Sequence, residues 1–594
     1  MRDTLRAFAT TIGFGFRAAP WHATFQILTE IALGLVGPFM AYGVKLLIDA
    51  AAAGDLRLAL VAGTVLSVAT ATLIVAMSYN AHCVFTVIER TQALADRRLM
   101  SLIGGIHGLA HHERPEYLDQ VYRLREERES LAEMTNASAG FAAALIGLVT
   151  TAVMLARVHP ALLALALVAL VSMYLSSKAN DIRVEAQEET SEPERLRRHL
   201  YDVGTTASAG KELRIFGLTG EIVRRHHEVS DEVLNARNEA DWRAARLKSI
   251  DALINAAGFV GAITLVLTLA LNGRATPGDV ALVVGLALEM GSVIASSVGY
   301  GGDFLWVLKQ ARRFIWLERY AESAAKEPAD PAPAPAGLEH GIDLIDVTFR
   351  YPGVERPILD GVSAHLPAGA VVALVGENGA GKTTLVKLLC DFYQPDGGQI
   401  LVDDVDLGRI PTEEWRERVS AAFQDYAQFE FLTRETVGVA SPAKIGDDEA
   451  LNGALARADA DTVVAALPQG LDTQLGTTWT EGVDLSGGQW QRLALGRGLL
   501  RSDPLLVVFD EPTAALDPQT EHALFERFAE AARSGRQHGA VTLLVSHRFS
   551  TVRMADLIVV LEQGRVREVG SHEELMNRGD LYAELYELQS RAYR

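Results

Sequence analysis

Hydrophobic positions follow two unlike patterns along the chain. In the first half they form long runs almost free of charge: residues 58–88, 135–156, 158–177 and 252–273 contain no Asp, Glu, Lys or Arg, and two further runs, 25–48 and 280–302, are broken by two and one charges. A helix needs about 20 predominantly apolar residues to cross a bilayer, so six spans are predicted. In the second half the apolar runs shorten to the length of buried strands and alternate with helical patterns, which predicts an α/β domain. Between the halves, residues 324–337 read AAKEPADPAPAPAG, an Ala/Pro stretch without apolar periodicity that is expected to be an extended spacer. The expected organisation is therefore a membrane domain over 1–323, a linker over 324–337 and an α/β domain over 338–594.

The connections between spans alternate between short and long. The long ones, 89–134 and 178–251, carry seven and thirteen Lys and Arg, against one in each of the three short ones. Positively charged connections stay cytoplasmic, so the long loops, both termini and the second half are expected in the cytosol, with the chain in the cell (inner or plasma) membrane. Helical spacing continues through much of both long loops, which predicts membrane helices that run on into the cytosol. Two carboxylates interrupt the spans, Glu30 in the first and Glu289 in the last. A charge near the bilayer centre costs about 3 kcal/mol, so the two are expected to face a cavity, where they would attract a cationic part of a substrate; the alternatives are that one sits near an interface, or that both are protonated or paired within the bundle, with Lys45 or a polar neighbour.

Composition changes this picture little. The chain has 594 residues, 49% of them hydrophobic, and a formal net charge of −20, which argues against a protein that coats nucleic acid. Two cysteines, Cys83 and Cys390, exclude a disulfide framework. No short apolar segment with a cleavage site stands near the start, so no removable signal is read there. His107, His111 and His112 lie close together, but no Cys or carboxylate at metal-ligand spacing accompanies them.

The candidate chemistry lies in the second half. Residues 370–389 read AVVALVGENGAGKTTLVKLL: an apolar strand, a glycine-rich turn and a helix. Gly376, Gly381, Lys382 and Thr383 match the phosphate-loop pattern in the strand–loop–helix context that gives it meaning. Glycines let backbone N–H groups wrap phosphates, and the helix N-terminus adds positive potential. On this reading Gly376, Glu377, Asn378, Gly379, Ala380, Gly381, Lys382, Thr383 and Thr384 form the ATP-binding loop, Lys382 reaches the β and γ phosphates, and Thr383 holds Mg2+. Downstream, PLLVVFDEPTAALD carries a buried-strand run ending in Asp510 and Glu511. Asp510 suits Mg2+ coordination and Glu511 suits polarising the attacking water.

Between these two motifs stands LSGGQ: Leu485, Ser486, Gly487, Gly488 and Gln489. This stretch resembles the signature of ATP-binding cassette transporters, and other residues fall into that family's order. The resemblance implies that Tyr351 stacks on adenine and that Gln424 senses the γ-phosphate and Mg2+. It implies that Asp517 lies in a loop at a dimer interface and that His547 contacts the γ-phosphate. Six spans ahead of one cassette resemble a half-transporter of the exporter type, in which transverse helices of the long loops, here around 112–127 and 209–229, dock on nucleotide domains. In this family each nucleotide lies between the phosphate loop of one cassette and the signature of another, which implies a second half-transporter chain, either a homodimer, favoured by intact catalytic residues, or a heterodimer. The implied function is ATP-driven export of a small amphipathic molecule, a drug-like secondary metabolite or a peptide by alternating access. A lipid flippase or a metal-chelate importer on the same fold is the alternative. A cassette ATPase that is merely anchored by its helices is disfavoured by the six spans and the acidic charge.

Overall fold

A computed structural model describes residues 2–126, 128–324, 328, 330–511, 539–546 and 549–592. The chain divides into two compact units, one of Met1–Leu102 with Val121–Arg319, the other of Ile103–Gln120 with Tyr320–Arg594.

The first unit is helical. Among the described residues six helices are long and apolar enough to cross a membrane: Pro20–Ala53, Leu56–Gly104, Met134–Val158, Pro160–Glu189, Thr219–Leu271 and Pro277–Ala324. Each falls on one of the six apolar runs. The fifth, at 53 residues, would extend about 80 Å at 1.5 Å per residue, against a hydrocarbon core of about 30 Å. That excess is the helical extension predicted from the charged connections.

Small residues let the spans pack closely. A side chain at Gly34 would meet the carbonyl of Ala143 at 2.5 Å, and one at Gly147 would meet the carbonyl of Gly34 at 2.9 Å, so the first and third spans touch backbone to backbone. Leu155, Leu165, Val266, Val283 and Leu286 form a buried cluster among the last four spans. Outward positions such as Val61, Val68, Leu167 and Val260 remain apolar and exposed, as a lipid-facing surface requires. An amphipathic helix, Arg2–Ala18, precedes the first span and buries Ala7, Thr11 and Phe14.

The second unit contains two sheets. Strands β1 (Gly341–Phe349), β2 (Leu359–Pro367), β3 (Val371–Gly376), β4 (Gly397–Val402), β5 (Val405–Asp406), β6 (Val419–Ala422), β7 (Leu506–Asp510), β8 (Val541–Val545), β9 (Leu557–Glu562) and β10 (Arg565–Gly570) follow in chain order. The first sheet is antiparallel, in the order β2-β1-β4-β5, and the second runs β10-β9-β3-β8-β7-β6. In the second sheet β9, β3, β8, β7 and β6 are parallel neighbours and only β10 is antiparallel. Parallel strands are buried on both faces, which explains the near-continuous apolar runs of β3 and β8. Their shared core centres on the fully buried Trp415, whose indole N–H donates to the carbonyl of Leu389 at 2.8 Å.

The Ala/Pro stretch is extended, as its composition dictates, but it is not loose. Ala332 N–H donates to the carbonyl of Arg409 at 2.9 Å, and Ala334 N–H donates to the Glu414 carboxylate at 2.8 Å. Residues 103–120, which the sequence places in a loop of the membrane half, belong to the second unit. Leu109 N–H donates to the carbonyl of Phe392 at 3.1 Å, Tyr393 donates to the Glu113 carboxylate at 2.5 Å, and Arg416 donates to the carbonyls of His107 and Asp391. The helix expected within 112–127 follows at Pro115–Glu126, and its Tyr117 ring lies 5.1 Å from that of Tyr320. The contacts ahead of it use backbone groups, the Glu113 carboxylate and a single turn of 3-10 helix, Ala110–Glu113, which periodicity does not reveal.

Candidate functional site

The site is built where β3 meets the helix Lys382–Leu389. At Gly376 a Cβ would lie 2.3 Å from the carbonyl of Leu561, so only glycine lets the strand turn there. Gly381 has φ 101° and begins the helix; a Cβ there would also meet Leu359 at 2.7 Å. Between them Glu377, Asn378 and Gly379 are exposed while Ala380 is buried, which leaves the loop backbone accessible on one side. Lys382 is buried, and its Nζ donates to the carbonyls of Gly376 at 2.8 Å and Glu377 at 3.0 Å. Burial lowers its pKa, and the charges of Glu511 and Asp510 oppose that shift.

Asp510 ends β7, two strands from β3, and is 2% exposed. Its carboxyl is pushed up to about 6, first by burial and then by the neighbouring Glu511 charge, while a hydrogen bond from Thr383 acts the other way. One carboxylate oxygen, Oδ1, has no partner among the described residues. A buried carboxylate with an unsatisfied oxygen beside a hydroxyl is a hard-oxygen pair suited to Mg2+, so the residues fit that ion. Glu511 follows at φ 47°, a left-handed conformation rare for a side chain of its size, held by its N–H donating to the carbonyl of Val545 at 3.0 Å. Gln424 lies exposed two residues beyond β6, the strand paired with β7. Asp425 beside it is close enough to raise the Asp510 pKa, which puts this loop at the same sheet edge.

Tyr351 is half-buried, with its hydroxyl 3.1 Å from that of Thr384 and the Lys387 ammonium 5.3 Å from its ring centre.

Residues 359–514 match the profile of the ABC transporter family. The ATP-dependent lipid A-core flippase of Chromobacterium violaceum is 39% identical over 265 residues, 44% of this chain and 43% of that protein. That of Cupriavidus metallidurans is 41% identical over 268 residues, again 44% and 43% of the two chains. The first-ranked of these curated relatives are thus matched over less than half their length. A longer match, to the flippase of Chromohalobacter salexigens, is 30% identical over 413 residues and covers 66% of each chain. Among solved structures, a bacterial Atm1-family ABC exporter with ATP bound superimposes with a TM-score of 0.78 at 23% identity, covering 96% of this chain and 99% of that one. This likeness extends the shared fold through both halves. Residues 359–514 are thus an ABC transporter domain, and the chain as a whole shares the fold of an ABC exporter.

Within this ABC domain the LSGGQ residues begin the helix Gly487–Gly498 through a capping box. Ser486 Oγ accepts from Gln489 N–H at 3.4 Å, and Gln489 Oε1 accepts from Ser486 N–H at 2.8 Å. Leu485 is buried while Ser486 and Gly487 are exposed, so the signature presents a capped helix N-terminus outward. Gly488 and Gln489 are half-buried in its first turn. Sequence reading missed what ties this helix to the Gln424 loop: the Tyr426 hydroxyl donates to the carbonyl of Gly487 at 2.8 Å, and Arg497 stands 4.7 Å from the Phe429 ring centre while donating to the carbonyl of Ala427. The only hint was the aromatic density of DYAQFEF after the glutamine. His547 and Asp517 lie outside the described residues.

Gly496 lies inside the signature helix, where a Cβ would meet Leu455 at an ordinary 3.4 Å. Gly496→Ala is therefore expected to raise cassette stability by about 1 kcal/mol, read as a rise of a few degrees in Tm; a fall would show that the site is overpacked.

The two membrane carboxylates differ. Glu30 is buried and accepts from Asn80 Nδ2 at 2.7 Å, and Asn80 in turn accepts from Thr29 at 2.9 Å. Its partner is thus the polar neighbour, because Lys45 pairs instead with Asp279. Glu289 is half-buried and packs against the first span at Gly37, with its carboxylate filling the space a side chain there would need. His111 is buried against the rings of His112 and Tyr117, with its pKa lowered to about 4 by burial and by His112; among the described residues no group of three or more His, Cys, Asp or Glu is placed to hold a metal.

Proposed function

We propose that the chain binds and hydrolyses Mg·ATP to drive an amphipathic molecule across a lipid bilayer, paired with a second half-transporter chain. Domain roles follow the sequence boundaries: membrane domain 1–323, linker 324–337 and cassette 338–594. The observation that carries the reading is the joining of a phosphate loop, a buried Asp510 with an unpaired oxygen and a strained Glu511 at one sheet edge. ATP bound between two cassettes would have very different affinity for closed and open arrangements, which is what coupling requires. On this reading Lys382 binds the phosphates, Thr383, Asp510 and Gln424 hold the metal, Glu511 takes the water proton and His547 supports the γ-phosphate.

Support for the second chain comes from the turn at 215–218. Ile215 is 79% exposed and Phe216 66%, in a segment that follows the helix Ala207–Ile215 and stands outside the membrane runs. An apolar tip in water needs a cover, and a cassette of the partner supplies one. The favoured substrate is a lipid-like amphiphile, because the relatives just named are lipid flippases. A peptide or drug-like substrate is the second reading, supported by Glu289, a half-buried acidic side chain within the last span. The two separate in one experiment. Glu289→Gln is expected to weaken stimulation of ATP turnover by cationic compounds at least threefold more than by neutral ones, whereas Glu30→Gln, whose amide oxygen still accepts from Asn80, leaves both unchanged. Equal effects of the two variants would remove Glu289 from the substrate path.

The decisive test is ATP hydrolysis by the purified full chain in lipid vesicles, with Lys382→Ala as control, a particle-mass determination and a labelled lipid whose exposure to a membrane-impermeant quencher is followed. Lys382-dependent turnover by a two-chain particle, with ATP-dependent lipid movement, is expected. Turnover by a single chain, or lipid movement that ignores ATP, would overturn the proposal.

A further inference from the structure

A second concave site lies wholly within the first unit. Its volume is about 630 Å³, and it is walled by the last turn of the helix Arg2–Ala18, one face of the helix Leu56–Gly104 and Glu318 of the last span. Arg17, Arg90, Arg97 and Arg98 all line it. On the second helix the arginines stand at i, i+7 and i+8, so they share one face and reach the same opening.

Four cations and one carboxylate give the pocket a charge of +3 (4 − 1). Glu318 is committed to Arg98, at 3.2 Å. Among the described residues no carboxylate lies within ion-pair distance of Arg17, Arg90 or Arg97. Like charges gathered on one face destabilise a helix, and the chain as a whole is strongly acidic, with 75 Asp and Glu against 55 Lys and Arg. A fold with that many carboxylates leaves three guanidinium groups converging on a cavity and neutralises none of them. Guanidinium forks match phosphate oxygens two at a time, and a cavity of this size accommodates a phosphorylated group. Phe14 and Leu94 in the same wall supply an apolar side, so the pocket suits a ligand with both a phosphate and a hydrocarbon portion. Basic pockets of this kind between membrane helices hold anionic lipid headgroups.

We infer that the pocket lined by Arg17, Arg90, Arg97 and Arg98 is a binding site for a phosphate-bearing anion, separate from the ATP site. The phosphate belongs either to an anionic lipid or to a soluble phosphate compound, and both sources present the same oxygens to the same guanidinium groups. Binding there bridges the N-terminal helix to the extension of the second span, so occupancy stiffens the entry to the membrane domain.

The test uses the full chain in detergent with the ATP site saturated by Mg·ADP, so that phosphate binding at Lys382 does not contribute. Thermal stabilisation is titrated with inorganic pyrophosphate in one arm and with phosphatidylglycerol against phosphatidylcholine in the other. Stabilisation by at least one phosphate source is expected, with apparent affinity at least tenfold lower in the Arg17→Gln/Arg90→Gln/Arg97→Gln chain. Response to pyrophosphate assigns a soluble ligand, and response to phosphatidylglycerol alone assigns a lipid. Glu318→Gln removes the sole carboxylate and is expected to tighten the same binding severalfold, a gain that a misfolded variant could not produce. No binding in either arm, or equal binding by the triple variant, or no change on Glu318→Gln, would overturn the inference.

Discussion

Glu511→Gln is expected to keep ATP bound while turnover falls by roughly 10²–10³, the usual contribution of a positioned general base. The side chain follows a buried strand, in a backbone conformation that costs about 1–3 kcal/mol and persists because its N–H is tied to Val545. That strain fixes a carboxylate at the strand end beside Asp510. An amide of the same shape leaves the loop, Lys382 and Thr383 untouched but cannot accept the proton of the attacking water. Binding and chemistry should therefore separate cleanly: equilibrium nucleotide binding unchanged within about twofold, and single-turnover hydrolysis slowed as much as steady-state turnover. Vigorous hydrolysis by the variant would assign the proton to another group.

Which parts of this were legible in the sequence follows from how far each signal reaches. The spans were legible because lipid imposes a composition on some 20 consecutive residues, and each apolar run lies on one helix. The phosphate loop was legible because its chemistry sits on contiguous residues. The strand expected ahead of it is Val371–Gly376, and the strand expected to end at the acidic pair is Leu506–Asp510. What stayed hidden depends on side chains that meet only after folding. Arg416 joins His107 to Asp391 across more than 280 residues of sequence separation through carbonyls, which carry no residue-specific signal. Glu30 and Glu289 looked equivalent as interruptions of apolar runs, yet one is absorbed by Asn80 and the other packs on a bare glycine backbone. The arginine pocket was invisible for the same reason: Arg17 and Arg90 are 73 residues apart, and charge counting had assigned both only to a side of the membrane.

Asp510→Asn is expected to lower Mg2+-dependent turnover by about 10² or more and at the same time to change how the metal-free protein responds to pH. The carboxyl is buried beside Glu511, and its pKa is pushed up to about 6 from an ordinary 3.8. An acid whose folded-state pKa is raised binds its proton more tightly when folded. The fold is therefore favoured while the group is protonated and loses stability as pH rises from about 4 to about 6, after which the cost stays constant. The metal reverses this, because a divalent cation at the unpaired Oδ1 stabilises the ionised form and must displace the proton below about pH 6. The wild-type apparent Mg2+ affinity should thus fall roughly tenfold per pH unit below 6. The Asp510→Asn chain, with no proton to lose there, should show weak metal binding at every pH. In EDTA its Tm should fall less between pH 4.5 and 7 than that of the wild type. Parallel Tm profiles for the two chains in EDTA would mean that Asp510 is already ionised in the metal-free fold, and that its role is to hold Lys382 and Thr383 in place.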